Sequence, residues 1–378
     1  MKMSKSVVAV TTALMTVGVA TSCGKKKKES TTTEASSVAD LALSSTLNLS
    51  IPDKLAAASG GTAASLALME ELNLVGKKSS EACRTMETTN QVLSNLQEIG
   101  AMFCHFEVES ANLKFGTKYA IKMSGAPARL AEADSMAIWV DNSDAANLKV
   151  YMCKGGVLNQ QISISDFASA GKAKGSMNTM HSGTQGTSTF SGGVNITFDL
   201  TQEGLKLVTA SMKHKNTGGE HSGEFRNFAD ISLSETGVSL VKMSSKGTRG
   251  TDTMADQGSV RFNGTMGQAL FSGAGSNGGH TYDYSSVSTF GADGITVAKT
   301  AATSDILVVA ADLPSKLADD FTPTVPAGWD CTTTEDLKID FADTTKKASH
   351  DACDVDHNRT FSSCWGDGFE QGEHEAKK

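Results

Sequence analysis

Val194-Asn195-Ile196-Thr197-Phe198-Asp199-Leu200-Thr201 alternates apolar and polar residues without interruption. Strict alternation over eight residues is the signature of a β-strand with one face buried and one face wet. Val194, Ile196, Phe198 and Leu200 are therefore expected on the core side, with Asn195, Thr197 and Asp199 opposite. A one-residue slip would send all four apolar chains into water, so the register is strongly specified.

The same period spreads in both directions. Tyr119, Ile121 and Met123 alternate with Lys118, Ala120 and Lys122, and Leu148, Val150 and Met152 follow. Ile231 and Leu233, then Glu235-Thr236-Gly237, then Val238 and Leu240 read as a hairpin with a short glycine-containing loop. Val260 with Phe262 and Tyr282 with Tyr284 continue the series, and Phe106 with Val108 are read as its first members. Nine to twelve strands are expected between 104 and 311, joined by Gly, Ser, Thr and Asn turns. This pattern suggests a large antiparallel meander forming a curved sheet, a soluble barrel or a sandwich. No repeat of fixed period is visible.

Upstream, residues 38–103 are helical in character. Leu66, Leu68, Met69, Leu72 and Leu74 cluster after Gly60-Gly61. Ser80 is a plausible N-cap, with Glu81 favourably placed in the first turn. Thr89, Val92, Leu93, Leu96, Ile99 and Phe103 then repeat at helical spacing, one apolar face, with Gly100 near the expected end. The expected class is mainly β with N-terminal helices, an α+β fold.

The N-terminal residues address a compartment. Lys2 and Lys5 precede an apolar run from Val7 to Ala20, too short to span a bilayer and fitting a signal-peptide core. Residues 1–22 are read as a signal peptide. Ala20-Thr21-Ser22-Cys23 resembles the lipobox of bacterial lipoproteins, departing from it at the first position, where Leu is usual and Ala20 stands here. The resemblance covers the leader only. It implies cleavage before Cys23, a diacylglycerol (palmitate-type) anchor on its sulfur and an acylated amine, placing the protein on the outer membrane of the bacterial envelope. Two or more acyl chains hold such a protein stably. Gly24-Lys25-Lys26-Lys27-Lys28 and the Ser/Thr/Glu stretch to Ser37 then read as a flexible tether over 23–37.

Composition narrows function. The chain of 378 residues carries a formal net charge of −8, against nucleic-acid binding. Aromatics are only 6%, against the aromatic girdles of an outer-membrane barrel. A helix followed by a curved meander resembles, in outline only, the carriers that move lipoproteins across the periplasm, and fold does not give function. Residues 312–378 hold 15 Asp+Glu against 7 Lys+Arg and read as an acidic, loop-rich C-terminal extension folded against the sheet.

Six cysteines remain besides Cys23: Cys83, Cys104, Cys153, Cys331, Cys353 and Cys364. An even count in an exported protein suggests three disulfides. A continuous helix would hold Cys83 and Cys104 about 30 Å apart, which excludes that pair. Cys353 with Cys364, Cys104 with Cys153 and Cys83 with Cys331 are the expected pairs.

Gly273-Ala274-Gly275-Ser276-Asn277-Gly278 matches a dinucleotide-binding fingerprint, but His280, Thr281, Tyr282 and Tyr284 follow where a helix is required. It is read as a hairpin loop, and the absent helix also removes a nucleophile elbow at Ser276. Asp354, Asp356 and Asn358 begin a D-x-D-x-N calcium loop, with Asp351 or Asp367 able to complete it. Arg359 and Trp365 stand where an EF-hand needs Gly and Glu, so a solvated acidic loop is the preferred reading. His350 and His357 flank it, while His105, His181, His214, His221 and His280 are dispersed. No catalytic motif appears and no cofactor is expected beyond the covalent lipid. The expected function is a membrane-anchored, noncatalytic binding or structural domain that meets another envelope protein or a lipid. A carrier of an acyl ligand and an envelope hydrolase are the alternatives.

Overall fold

The computed structural model describes residues 80–109, 113–125, 136–144, 147–169, 172–185, 187–218, 222–292, 296–314 and 330–353. Helix α1 (Ser80–Val108) is followed by β1 (Lys118–Ser124), β2 (Met136–Asp144), β3 (Asn147–Lys154), β4 (Val157–Ser169), β5 (Lys172–Gln185), β6 (Ser188–Asp199) and β7 (Leu205–Thr217). Next come β8 (Gly223–Ser234), β9 (Ser239–Arg249), β10 (Asp252–Phe262), β11 (Met266–Asn277), β12 (His280–Gly291), β13 (Thr296–Val297), β14 (Glu335–Asp340) and helix α2 (Lys347–Cys353). The fold is mainly β with helices, an α+β arrangement.

All fourteen strands belong to one sheet, ordered linearly from β13 through β12 down to β1 and then β14. Strands β1 to β13 form an antiparallel meander, and β14 pairs parallel to β1. The sheet is open, with β13 and β14 at its ends. Among the described residues thirteen strands thus precede residue 312, one more than the upper expectation. The acidic extension is not merely loop-rich: it supplies the fourteenth strand and α2.

One residue row shows how the pattern builds the core. Val140, Val150, Ile162, Met177, Ile196, Ala210, Ala229, Met243, Gly258 and Phe271 are successive cross-strand partners from β2 to β11. All are buried. Ile196, Phe198 and Leu200 lie buried as the alternation requires, Thr197 is exposed, and Val194 is half-buried nearer the strand's polar end. Glycines with positive φ make the tight turns, and both turn residues need it at Gly155-Gly156 and Gly278-Gly279.

Helix α1 lies against β8, β9 and β11 and contacts α2. Leu93, Leu96, Phe103 and Phe106 are at most 2% exposed. Burying each stabilises the fold by roughly 1.5–3 kcal/mol. The helix runs past Gly100 to Val108, so Cys104 to Val108 are helical and not the first strand. Phe106 falls three residues after Phe103, and that spacing extends the helical stripe as readily as it mimics alternation. On the opposite face, the chain after β13 crosses β10–β12. There Asp312 accepts a forked pair of bonds from Arg261 Nε (3.2 Å) and Nη2 (2.6 Å), and Gln268 accepts from the Val308 amide at 3.0 Å.

The disulfides differ from the expected pairs. Cys104 of α1 is bonded to Cys353 of α2, with Cα atoms 5.5 Å apart, and Cys153 of β3 to Cys331, with Cα atoms 6.0 Å apart. Cys353–Cys364, Cys104–Cys153 and Cys83–Cys331 are all overturned, because each uses a cysteine bonded elsewhere. The physical reason is topological. The parallel β14 carries the chain back beside β1, which brings Cys331 to the sheet and α2 to the end of α1. A register irregularity between Met152 and Cys153 leaves both buried despite their adjacency, and Cys153 clusters with Ala137 and Leu158 beside Cys331. Cys83 and Cys104 do share one continuous helix, as expected of a pair that cannot bond.

Candidate functional site

Between the first turns of α1 and the sheet lies a cavity of about 190 Å³. The helical stripe is apolar from Val92 onward, but its N-terminal turns present Arg84, Thr88 and Gln91 to the cavity. Across from them stand Asn227, Ser245, Asp256, Gln257 and Phe271. Arg84 Nη2 donates to Asp256 Oδ2 and to Ser245 Oγ, both at 3.0 Å, and its guanidinium carbon stands 5.6 Å from the Phe271 ring centroid. Tyr284 donates to Asp256 Oδ1 at 3.2 Å. Asp256 is buried, with a side chain 9% exposed, while Arg84 is 33% exposed. Burial pushes the Tyr284 phenol upward, and the nearby Asp256 carboxylate adds to the shift. The cavity thus holds one cation and one anion that neutralise each other, ringed by amides and hydroxyls.

Toward the strand ends, the same sheet face changes character. His181, Gly192, His214, Phe225, Gly247, Met254, Gly275 and Tyr282 are successive cross-strand partners from β5 to β12. They lie two residues along each strand from the row containing Asn227, Ser245 and Asp256, hence on the same face. His181 and His214 are exposed, and Tyr282 and Tyr284 are 40% and 39% exposed. His181 Nε2 lies 3.4 Å from His214 Nδ1 across Gly192, and Phe190 stacks beside His214. Partial desolvation beside the neighbouring rings and then the charge of His214 lower the His181 imidazole from its ordinary value.

The glycines beneath these rings are part of the design. A Cβ at Gly192 would stand 2.6 Å from His181 Nε2, at Gly247 2.5 Å from Phe225, and at Gly275 2.7 Å from Tyr282 Oη. Each ring leans over its glycine partner, which removes the side chain that would otherwise push it away. This corrects the reading of Gly273–Gly278 as a loop. Gly273 and Gly275 sit inside β11, opposite Tyr284 and Tyr282, and the turn is Gly278-Gly279.

A second cluster joins α1 to α2. His350 Nε2 lies 3.0 Å from Glu109 Oε1, and His350 Nδ1 lies 3.1 Å from His105 Nδ1. A carboxylate only accepts, so His350 donates its Nε2–H to Glu109. Lys346 also donates to Glu109. Both imidazoles are buried, at 4% and 2% exposure, against Phe341. Histidine and carboxylate do converge here, but in the packed junction sealed by Cys104–Cys353, where the network fastens α2.

Of the residues singled out from sequence, Cys104, Cys153, Cys331 and Cys353 are brought together in pairs. Cys83 lies in α1, and His280 is exposed on β12. Cys23, Cys364, His221, His357 and the calcium candidates Asp354, Asp356 and Asn358 lie outside the described residues. Among the described residues no group of three or more His, Cys, Asp or Glu is placed to hold a metal ion. Arg84 and Asp256 were missed by sequence reasoning. They are 172 positions apart, and neither belongs to a motif. The one available signal was the polar N-terminal end of the α1 stripe. No family model, curated protein or solved structure matches this chain.

Proposed function

We propose that the protein is a membrane-anchored bacterial envelope lipoprotein whose β-rich domain binds a partner or ligand without catalysis. The observation that carries the reading is the placement of α1. The helix packs Leu93, Leu96, Phe103 and Phe106 into the apolar side of the sheet, at 2% exposure or less. Space beside it is instead the polar cleft of Arg84 and Asp256. A surface that recognises by hydrogen bonds and rings suits binding better than storage of an acyl chain, which favours the binding domain over the carrier. The buried His105–His350–Glu109 network is packed as a structural joint, which favours it over the hydrolase.

Anchoring rests on the lipobox-like Ala20–Cys23 and the lysine-rich tether. Cys23→Ser is expected to move the protein from the membrane fraction to the soluble one. Retention on membranes after a high-salt wash would remove the lipid anchor from the account. For the binding face, a photo-crosslinking residue at Thr88 is expected to capture the partner in intact cells, whereas one at exposed Lys347 is not. Capture at Lys347 alone would place the interaction elsewhere.

A further inference from the structure

We infer that the cleft beneath the first turns of α1 receives a neutral sugar ring, and that the ring-bearing row beyond it carries the continuing glycan. The inference rests on the binding reading above and names its ligand class. Charge is the first argument. Arg84 is matched by Asp256 at 3.0 Å, so the cleft is electrically balanced. An anion would compete with Asp256 for the guanidinium, and a cation would have to displace Arg84 from it. A neutral ligand does neither.

Chemistry is the second argument. Thr88, Gln91, Asn227 and Gln257 line the cavity with groups that both donate and accept hydrogen bonds, which matches sugar hydroxyls, themselves donors and acceptors. Met243 and Phe271 form the apolar floor of the cavity, the Phe271 ring being covered by Arg84. The third argument is the surface leading away. Tyr284 and Tyr282 on β12 share the cleft's face with Phe225 on β8, four strands away at about 4.8 Å per strand, and with His214 on β7, with Gly275, Met254 and Gly247 on the strands between β12 and β8. Tyr284, Tyr282 and Phe225 each lean over a glycine partner, so one side of the ring rests on backbone, and the two tyrosines are about 40% exposed. Flat, partly exposed aromatic faces beside a polar cleft are how proteins hold sugar chains, because such rings are apolar in body and adaptable in contact.

The test is calorimetric titration of the full-length protein in detergent with four tetrasaccharides: β-linked glucose, α-linked glucose, N-acetylglucosamine, and galacturonate as the charged control. At least one neutral tetramer is expected to bind, with little dependence on salt. Asn227→Ala is expected to weaken it by about three- to tenfold, the loss of one hydrogen bond, and Tyr282→Ala by a similar factor through lost stacking. Circular dichroism and the unfolding midpoint confirm that both variants are folded. No neutral binding up to roughly 10 mM, the weak end of specific recognition, would overturn the inference, as would neutral binding that both variants leave untouched. Salt-sensitive binding of galacturonate alone would also overturn it while leaving a binding function at this cleft standing.

Discussion

The ring of Phe271 on β11 lies over Gly258, its direct partner on β10, so closely that a Cβ at position 258 would stand 2.4 Å from the ring. The same ring faces Arg84 and walls the cleft. Gly258 therefore sets the depth of the cleft floor. Gly258→Ala is expected to force Phe271 outward and destabilise the fold by about 1–3 kcal/mol, the usual scale of overpacking. The urea midpoint measures it, and an unchanged midpoint would mean the ring has room to move.

Phe198 repeats this relationship with Gly175 and is 3% exposed. Phe198→Ala is expected to cost roughly 3–5 kcal/mol, the usual scale for truncating a buried phenylalanine. A small loss of stability accompanied by a change in acyl-lipid affinity would instead indicate a ligand-filled interior.

These glycine pairs explain what the sequence could and could not show. Val194 to Leu200 announces its strand because a half-buried strand needs only local alternation. Gly273 and Gly275 look like loop residues because their function depends on Tyr284 and Tyr282 in the next strand. The end of α1 is hidden for a related reason: Phe106 satisfies both periods, and contact with α2 decides between them. Arg84 with Asp256, and Cys104 with Cys353, depend on chain returns across 172 and 249 residues, which no local pattern encodes.

The junction between α1 and α2 is covalently closed by Cys104–Cys353. Replacing both cysteines by alanine is expected to lower stability by about 2–5 kcal/mol, since the bridge closes a very long loop of the unfolded chain. Denaturant unfolding of the double variant against the wild type checks this. Equal stability would show that the histidine network alone secures α2.

Acid should loosen the same junction. Burial alone would raise the Glu109 carboxyl, but Lys346, the Asp340 amide and His350 outweigh it and hold the group below its usual 4.5. A carboxyl depressed in the folded state contributes stability that is present above the unfolded value and is lost as pH falls through the folded one. Stability is therefore expected to drop as pH falls below about 4.5, and Glu109→Gln should flatten part of that drop. The carboxyl of Asp312, held low chiefly by Arg261, is untouched by the variant and should keep its own share. A Glu109→Gln curve parallel to the wild type would contradict the assignment.

Helix α1 packs on the apolar side of the sheet at β8, β9 and β11, and on the proposed reading ligand binding is left to the surface. Native mass spectrometry of the protein, produced with Cys23→Ser in an oxidising compartment and then mixed with phospholipid vesicles, tests it most directly. The account predicts the bare polypeptide mass before and after mixing, with no acyl lipid retained. A stoichiometric acyl adduct that survives transfer and is lost on Phe198→Ala would contradict it and make the protein a carrier.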